Sequence, residues 1–298
     1  MSDSKSAVLL LAHGSPDSVE EIPEFLLQVT GGRPLPAQVI EEVQHRYGLI
    51  GRSPLTELTL LQGKLLAGKL GLPVYVGMRN WKPFIADAVR AMGAEAITRA
   101  VVICLAPQNS RTSVGLYRSA LAANNPASAI DFVESWHDHP LLIKAFAEKL
   151  LAGLAHANSQ MGQKLPVIFT AHSVPQRTIT EGDPYEQQAK ETAALVAEEA
   201  GLSQSDWQFA FQSQGMSGGA WLGPTVEDTI RKLKGEGHGG VFIQPIGFLC
   251  DHVEVLYDID IGFKEFAEKE GMKLWRAESL NDSALLTAAL ADIARPRL

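Results

Sequence analysis

Two stretches of this chain read alike. The first is Leu10-Leu11-Ala12-His13-Gly14-Ser15-Pro16, and the second is Ile168-Phe169-Thr170-Ala171-His172-Ser173-Val174-Pro175. In each, an apolar run ends in a histidine and then a turn containing proline. The two copies lie about one domain length apart, much further than the ~20–50 residues of a solenoid repeat. Such spacing calls for two similar lobes, each opening on a strand with a histidine at its C-terminal tip.

The rest of the chain agrees. Short apolar runs occur at Ala7–Ala12, Val74–Val76, Ala100–Leu105, Ile130–Val133, Val167–Thr170, Gln208–Phe211, Gly240–Ile243 and Lys273–Trp275. Runs of this length, ending in Gly, Pro, His or polar residues, are typical of strands buried on both faces. Helical periodicity fills the gaps, most clearly in Leu55–Leu70, Leu141–Leu154 and Tyr185–Ala200. Strand alternating with helix means a parallel sheet flanked by helices. The expected fold is therefore α/β, with two lobes of four parallel strands each. Residues 1–157 form the first lobe and 158–298 the second. The polar stretch Asn158–Pro166 is the expected hinge, and Ser279–Ile293 a closing helix.

Ligands of such sheets bind beyond the C-terminal strand ends. His13, Arg79, Gln108, His172, Ser213 and Gly247 all fall there, so the lobes should face each other across a cleft. Net charge is −8, from 34 acidic and 26 basic residues, which argues against a nucleic-acid partner. Two cysteines, Cys104 and Cys250, exclude a disulfide framework and a four-thiolate cluster. Metal chemistry then falls to His and carboxylate, in a reducing, cytoplasmic setting. No run reaches the ~18–20 apolar residues of a membrane span. A peripheral membrane contact stays open, and Phe25-Leu26-Leu27 reads either as a cleft lip or as plain helix core.

An imidazole at a strand tip suits proton transfer or metal ligation, and His172 is the first candidate. His13 is its counterpart. The segment Asp251-His252-Val253-Glu254-Val255-Leu256-Tyr257-Asp258 follows the seventh strand. On a helix, Asp251, Glu254 and Asp258 would form one acidic stripe, a path for protons or hard cations. A first-turn carboxylate also favours the helix dipole, which is the simpler account of Asp251. His252 is the weaker ligand candidate, with a buried residue locking the turn as the other reading. Gly77 to Phe84 offers cations and an aromatic at a strand exit. Gln212 to Pro224 is glycine-rich but lacks the pattern of a phosphate-binding loop. Leu105 to Tyr117 is a third polar loop. Asp138 is the expected cap of the helix starting at Pro140.

Together these segments resemble the ferrochelatases. The resembling stretches are Ile50-Gly51-Arg52-Ser53-Pro54-Leu55, Gly77 to Phe84, Glu134-Ser135-Trp136, Ala171-His172-Ser173, Gly182-Asp183-Pro184-Tyr185, Gln212-Ser213, Trp221-Leu222-Gly223-Pro224, and Gly247-Phe248 with Asp251-His252-Val253-Glu254. The resemblance implies a lyase of haem biosynthesis with two chelatase-like lobes around a porphyrin cleft. Its partners would be a porphyrin and ferrous iron as substrates, with no organic cofactor. By position, His172 and Glu254 match the catalytic pair, and with Asp258 they would handle the metal. Glu254 is expected across the ring plane from His172. Porphyrin contacts are expected from His13, Ser110 and Ser213, an apolar grip from Met78, Trp81, Tyr117 and Trp221, and propionate binding from Arg52, Arg79 and Lys82. The chain departs from the family at His13, more often Tyr or Asn, at Asn80, often His or Tyr, and at Gly262, where some relatives carry a carboxylate. It lacks the cysteine-bearing C-terminal extension, so no iron–sulfur cluster is expected. Glu254-Val255-Leu256-Tyr257-Asp258 resembles members that use coproporphyrin III rather than protoporphyrin IX. Two alternatives remain at this level: a cobalt or sirohydrochlorin chelatase with a His13/His172 metal pair, and a porphyrin or haem carrier without turnover. A monomer and a homodimer both fit.

Overall fold

A computed structural model describes residues 5–214 and 219–298. The middle of the glycine-rich loop, residues 215–218, and the N-terminal Met1–Ser4 lie outside the described residues.

The eight apolar runs are eight strands. In the first lobe β1 (Ser6–Ala12), β2 (Val74–Met78), β3 (Arg99–Cys104) and β4 (Ala129–Val133) lie side by side in the order β2-β1-β3-β4. In the second, β5 (Val167–His172), β6 (Trp207–Gln212), β7 (Gly240–Pro245) and β8 (Lys273–Arg276) lie in the order β6-β5-β7-β8. Every pairing is parallel. The two orders are the same, so the repeated histidine phrase marks a repeated topology. The four apolar residues Val8–Leu11 are fully buried, as a strand covered by helices on both faces must be.

Between β1 and β2 lie α1 (Ile22–Val29), α2 (Ala37–Ile50) and α3 (Leu55–Leu70). α4 (Ile85–Ala94) follows β2, and α5 (Val114–Ala123) follows β3. α6 (Pro140–Met161) leads into the second lobe, which carries α7 (Gln176–Thr180), α8 (Tyr185–Glu199), α9 (Val226–Gly235), α10 (Val253–Leu256), α11 (Lys264–Lys269) and α12 (Ala284–Ala294).

The lobes exchange helices at their junction. α6 packs on α8, β7 and β8, all of the second lobe. Gly153 permits this approach, since a Cβ there would stand 2.7 Å from the Phe242 ring. α12, last in sequence, packs back on α3 of the first lobe as well as on α6. The chain therefore crosses between lobes at residues 134–139, earlier than the expected boundary at 157/158. The expected hinge is the end of α6: Gly162 adopts φ +73° as its C-terminal cap, and Asn158 Oδ1 accepts the Leu165 N–H at 2.8 Å. At the other end His139, not Asp138, caps α6, its ring nitrogen accepting the Leu141 N–H at 3.3 Å.

Helix exchange merges the lobes' cores. Val8, Leu10, Leu66 and Ile103 of the first lobe share one apolar cluster with Phe146, Phe169, Phe242 and Leu290. Leu290 on α12 is fully buried there, whereas Leu61 on α3 is 37% exposed. Leu290→Ala should lower unfolding free energy by about 2–5 kcal/mol, and Leu61→Ala by under about 1 kcal/mol, in urea titrations. Equal, small losses would contradict a core shared through α12.

Candidate active site

In a sheet of order two-one-three-four, successive connections leave the first strand in opposite directions. A crevice opens between the tips of the first and third strands. This chain has two such crevices, and they face each other. The β1 tip supplies His13, Gly14 and Ser15, and the β3 tip Leu105, Gln108 and Ser110. The β5 tip supplies His172, Ser173 and Val174, and the β7 tip Gly247, Phe248 and His252. All of them line one cleft of about 630 Å³, within the usual size of a small-molecule site. Gly14 lets the β1 tip turn under the cleft. It has φ +86°, and a Cβ there would lie 2.8 Å from the Trp81 main-chain nitrogen.

Polar ties hold the two crevices in register. Gln108 of the first lobe donates to the Ile246 carbonyl at 3.2 Å and to Thr192 Oγ1 at 3.1 Å. Gln62 on α3 donates to the Asn281 carbonyl at 2.7 Å.

Glu254, on the single turn α10, stands among imidazoles. His172 Nε2 is 3.6 Å from Glu254 Oε1, and His252 Nε2 is 3.6 Å from Glu254 Oε2. All three site histidines are oriented alike. Nδ1 of His13 lies 3.0 Å from the Gly14 carbonyl, that of His252 3.0 Å from the Cys250 carbonyl, and that of His172 on the Ser173 carbonyl. A carbonyl only accepts, so each Nδ1 carries the hydrogen and each neutral ring has its lone pair on Nε2. For His172 and His252, Nε2 is the atom turned to Glu254. Burial alone would raise the Glu254 pKa, but His172, His252 and His13 in their imidazolium forms, with His252 also hydrogen-bonded to the carboxylate, hold it down at about 2. His13 itself is pushed below its ordinary range, chiefly by burial, with Arg79 and His252 acting in the same sense. Asp258 is shifted upward by burial and by Glu254, against the opposing Ser213 hydroxyl and Arg46.

The His172–Glu254 separation corrects one expectation. A flat ring between two groups needs about 7 Å, twice a van der Waals contact distance. At 3.6 Å, His172 and Glu254 stand on the same side of any ring, not on opposite sides.

Placement sorts the remaining expected residues. His13, Arg79, Ser110, Tyr117, Ser213, Trp221 and Asp258 line the cleft with His172 and Glu254. Met78 and Trp81 do not: they are 0% and 1% exposed, and Trp81 packs edge-on against Phe25 in the layer beneath the cleft wall. Lys82 lies over the Trp81 ring, outside the cleft lining. Arg52 is turned to Asp17 and Glu57, 3.0 Å from each, and is also absent from the lining. Asn80 is buried below the β1 tip, its N–H bonded to the His13 carbonyl. The acidic stripe is broken as well. Asp251 faces away from the cleft, bonded to Ser279 Oγ at 2.7 Å and Asn281 Nδ2 at 3.0 Å.

Of three further contributors, Arg46 and the α2 wall were not expected from the sequence, whereas His252 was its weaker ligand candidate and Phe25-Leu26 one of two readings, cleft lip or helix core. His252 enters the cleft rather than merely locking a turn. Helices α1 and α2 roof the cleft with Phe25, Leu26, Val29, Val39 and Val43. The four-residue spacing of Val39, Val43 and Tyr47 was the available signal for α2. Arg46, also on α2, reaches across to the second lobe, 3.7 Å from Asp258 and over the Tyr257 ring. Among the described residues, no group of three or more His, Cys, Asp or Glu is gathered closely enough to hold a metal ion. No helix among them is long and apolar enough to cross a membrane.

Two doubly wound lobes, closing their strand-tip loops over an apolar cleft with a His–carboxylate centre, define the chelatase class of α/β proteins. SirB from Bacillus subtilis, solved with Fe3+, has this fold: its TM-score is 0.60 at 12% identity, covering 98% of this chain and 95% of that one. The finer assignment comes from sequence. The family model described as Ferrochelatase matches residues 5–298. A protein of Acidobacterium capsulatum named ferrochelatase is 57% identical over 99% of this chain and 95% of its own length. One of Geobacillus sp. (strain WCH70), named coproporphyrin III ferrochelatase, is 36% identical over 100% of this chain and 99% of its own. The chain belongs to the ferrochelatase family.

A carboxyl whose pKa is depressed by folding stabilises the fold above its unfolded value, near ~4.3, and loses that contribution as pH falls toward the folded value. For Glu254 the window runs from about 4.3 down to about 2. In urea titrations across this window, Glu254→Gln should show a shallower loss of stability with acid than the parent. Identical slopes would contradict the depressed pKa.

Proposed function

We propose that His172 and Glu254 act as a pair on one face of a porphyrin in the cleft, taking up its pyrrolic protons and passing it ferrous iron. The overall reaction, insertion of Fe2+ into a porphyrin in haem biosynthesis, is that of the family to which the chain belongs. It releases two protons and needs no electron transfer. The observation that carries the proposal is the 3.6 Å contact between His172 Nε2 and a Glu254 carboxylate oxygen.

His172 Nε2 is the acceptor for a pyrrolic proton, because Nδ1 is committed to the Ser173 carbonyl. Glu254, ionised and beside it, stabilises the imidazolium that forms and attracts the cation. Asp258 continues the acidic route, with Ser213 donating to it and Arg46 nearby. The wall formed by the β1 tip, with His13, faces the other side of the ring. Bending the ring toward the metal costs roughly 1–5 kcal/mol, drawn from binding the rest of the macrocycle. That binding falls to Tyr117, Trp221 and the α1–α2 roof, since Met78 and Trp81 are beneath the surface. Arg79 and Arg46 are the arginines lining the cleft and the candidates for propionates.

No organic cofactor or iron–sulfur cluster enters this scheme. Cys104 and Cys250 are both buried, with thiols pushed up to about 12, which is unfavourable for thiolate ligation. Coproporphyrin III is the ring we favour, on the likeness of the Glu254–Asp258 segment and on the name of the Geobacillus relative. The setting is cytoplasmic, and the protein acts as a monomer or homodimer.

His172→Ala and Glu254→Gln should each reduce iron insertion by about 10²-fold or more. Porphyrin affinity, read by fluorescence quenching, should change little. Near-normal turnover in either variant removes that residue from the mechanism. Side-by-side assays should give coproporphyrin III the higher kcat/KM, and preference for protoporphyrin IX would overturn the choice of ring.

A further inference from the structure

Glu254 and Asp258 enter the cleft on the irregular first half of a helical run that spans residues 253–269. α10 is a single turn of four residues, and Asp258–Phe263 follows as a π-helical stretch, with the Gly262 N–H bonded to the Tyr257 carbonyl at 2.9 Å. α11 (Lys264–Lys269) continues directly from the π-helical stretch, so the irregular part is the N-terminal end of the run. π-helical turns recur where function needs a side chain re-aimed. The aim of Glu254 and Asp258 then depends on what fixes this end of the run.

Arg276, at the end of β8, grips it at both ends. Its Nε and Nη2 donate to the two carboxylate oxygens of Asp260 at 2.6 and 2.8 Å. Nη2 also lies 3.3 Å from Asp251 Oδ1, and Nη1 donates to the Ala277 carbonyl at 2.9 Å. Asp251 in turn donates its N–H to Asn281 Oδ1 at 2.9 Å, and the Asn281 carbonyl takes Gln62 from the first lobe. The Arg276 side chain is 15% exposed, and none of Arg276, Asp251 and Asp260 lines the cleft.

We propose that Arg276 is a positioning residue for iron insertion: by bridging Asp251 and Asp260 it sets where Glu254 and Asp258 stand in the cleft. Stability alone does not explain the choice of residue, since a partly exposed ion pair contributes little net stability. The planar fork of arginine holds one carboxylate by two parallel bonds while reaching a second, which the point charge of lysine does not reproduce. Without the fork, two like charges face each other at the ends of the segment. A catalytic group displaced by about 1 Å loses on the order of 10²-fold in rate. The inference rests on the role given to Glu254 above.

Arg276→Lys keeps the charge and tests the fork. Expected are an unfolding midpoint and a porphyrin affinity close to the parent, with kcat for iron insertion at least ~10-fold lower. Adding Glu254→Gln to Arg276→Lys should cost far less than Glu254→Gln costs in the parent, although Arg276 and Glu254 do not touch. Parental kcat, fully multiplicative effects in the double variant, or porphyrin binding lost in step with kcat would each overturn the proposal. If Arg276→Lys does not fold, Asp260→Asn at the more exposed partner faces the same outcomes. Full turnover in Glu254→Gln alone would instead remove the role of Glu254.

Discussion

A carboxylate at the bottom of a largely apolar cleft stays charged only if positive potential faces it. Glu254 has three imidazoles around it, each with its hydrogen committed to a main-chain carbonyl. The site's chemistry follows from this arrangement. The carboxylate is held as an anion, and Nε2 of His172 is left facing it. Neither property belongs to the residue types alone. Both come from strand-tip turns that turn each Nδ1 back on its own loop.

The fold explains why those turns meet. Each parallel sheet of this order opens one crevice, between its first and third strands. One lobe would offer half a site. Two lobes, locked by exchanged helices and by Gln108 and Gln62 across the junction, bring two crevices together as one cleft. The α1–α2 insertion then adds an apolar roof. It also adds Arg46, which links the first lobe to the acidic segment of the second. A planar, mostly apolar ligand with acidic edges suits such a space.

Much of this was legible in the sequence, for a definite reason. Strands buried on both faces leave dense apolar runs, so all eight could be read, and the histidine phrase disclosed the duplication. Residues at the strand tips could be placed for the same reason: His172, His13, Arg79 and Ser213 follow directly from where strands end. Legibility failed where side-chain direction decides. Met78 and Trp81 occupy the same strand-exit loop as Arg79 but point into the layer below. Asp251 looked like the first rung of an acidic ladder, because the helix was assumed to begin there, whereas it begins at Val253 after an extended His252. The same assumption concealed Arg276, whose partners lie far from it in sequence. The helix exchange was hidden too, since nothing local marks which sheet α6 or α12 will cover.

The central claim is that the folded site holds the Glu254 carboxyl well below the ordinary glutamate range. Site-resolved NMR titration of the Glu254 side-chain carboxyl in the free enzyme measures this directly. A midpoint at about 2 is the expected result. A midpoint at or above the ordinary glutamate value of about 4.3 would contradict it, and with it the electrostatic account of how the site attracts its cation.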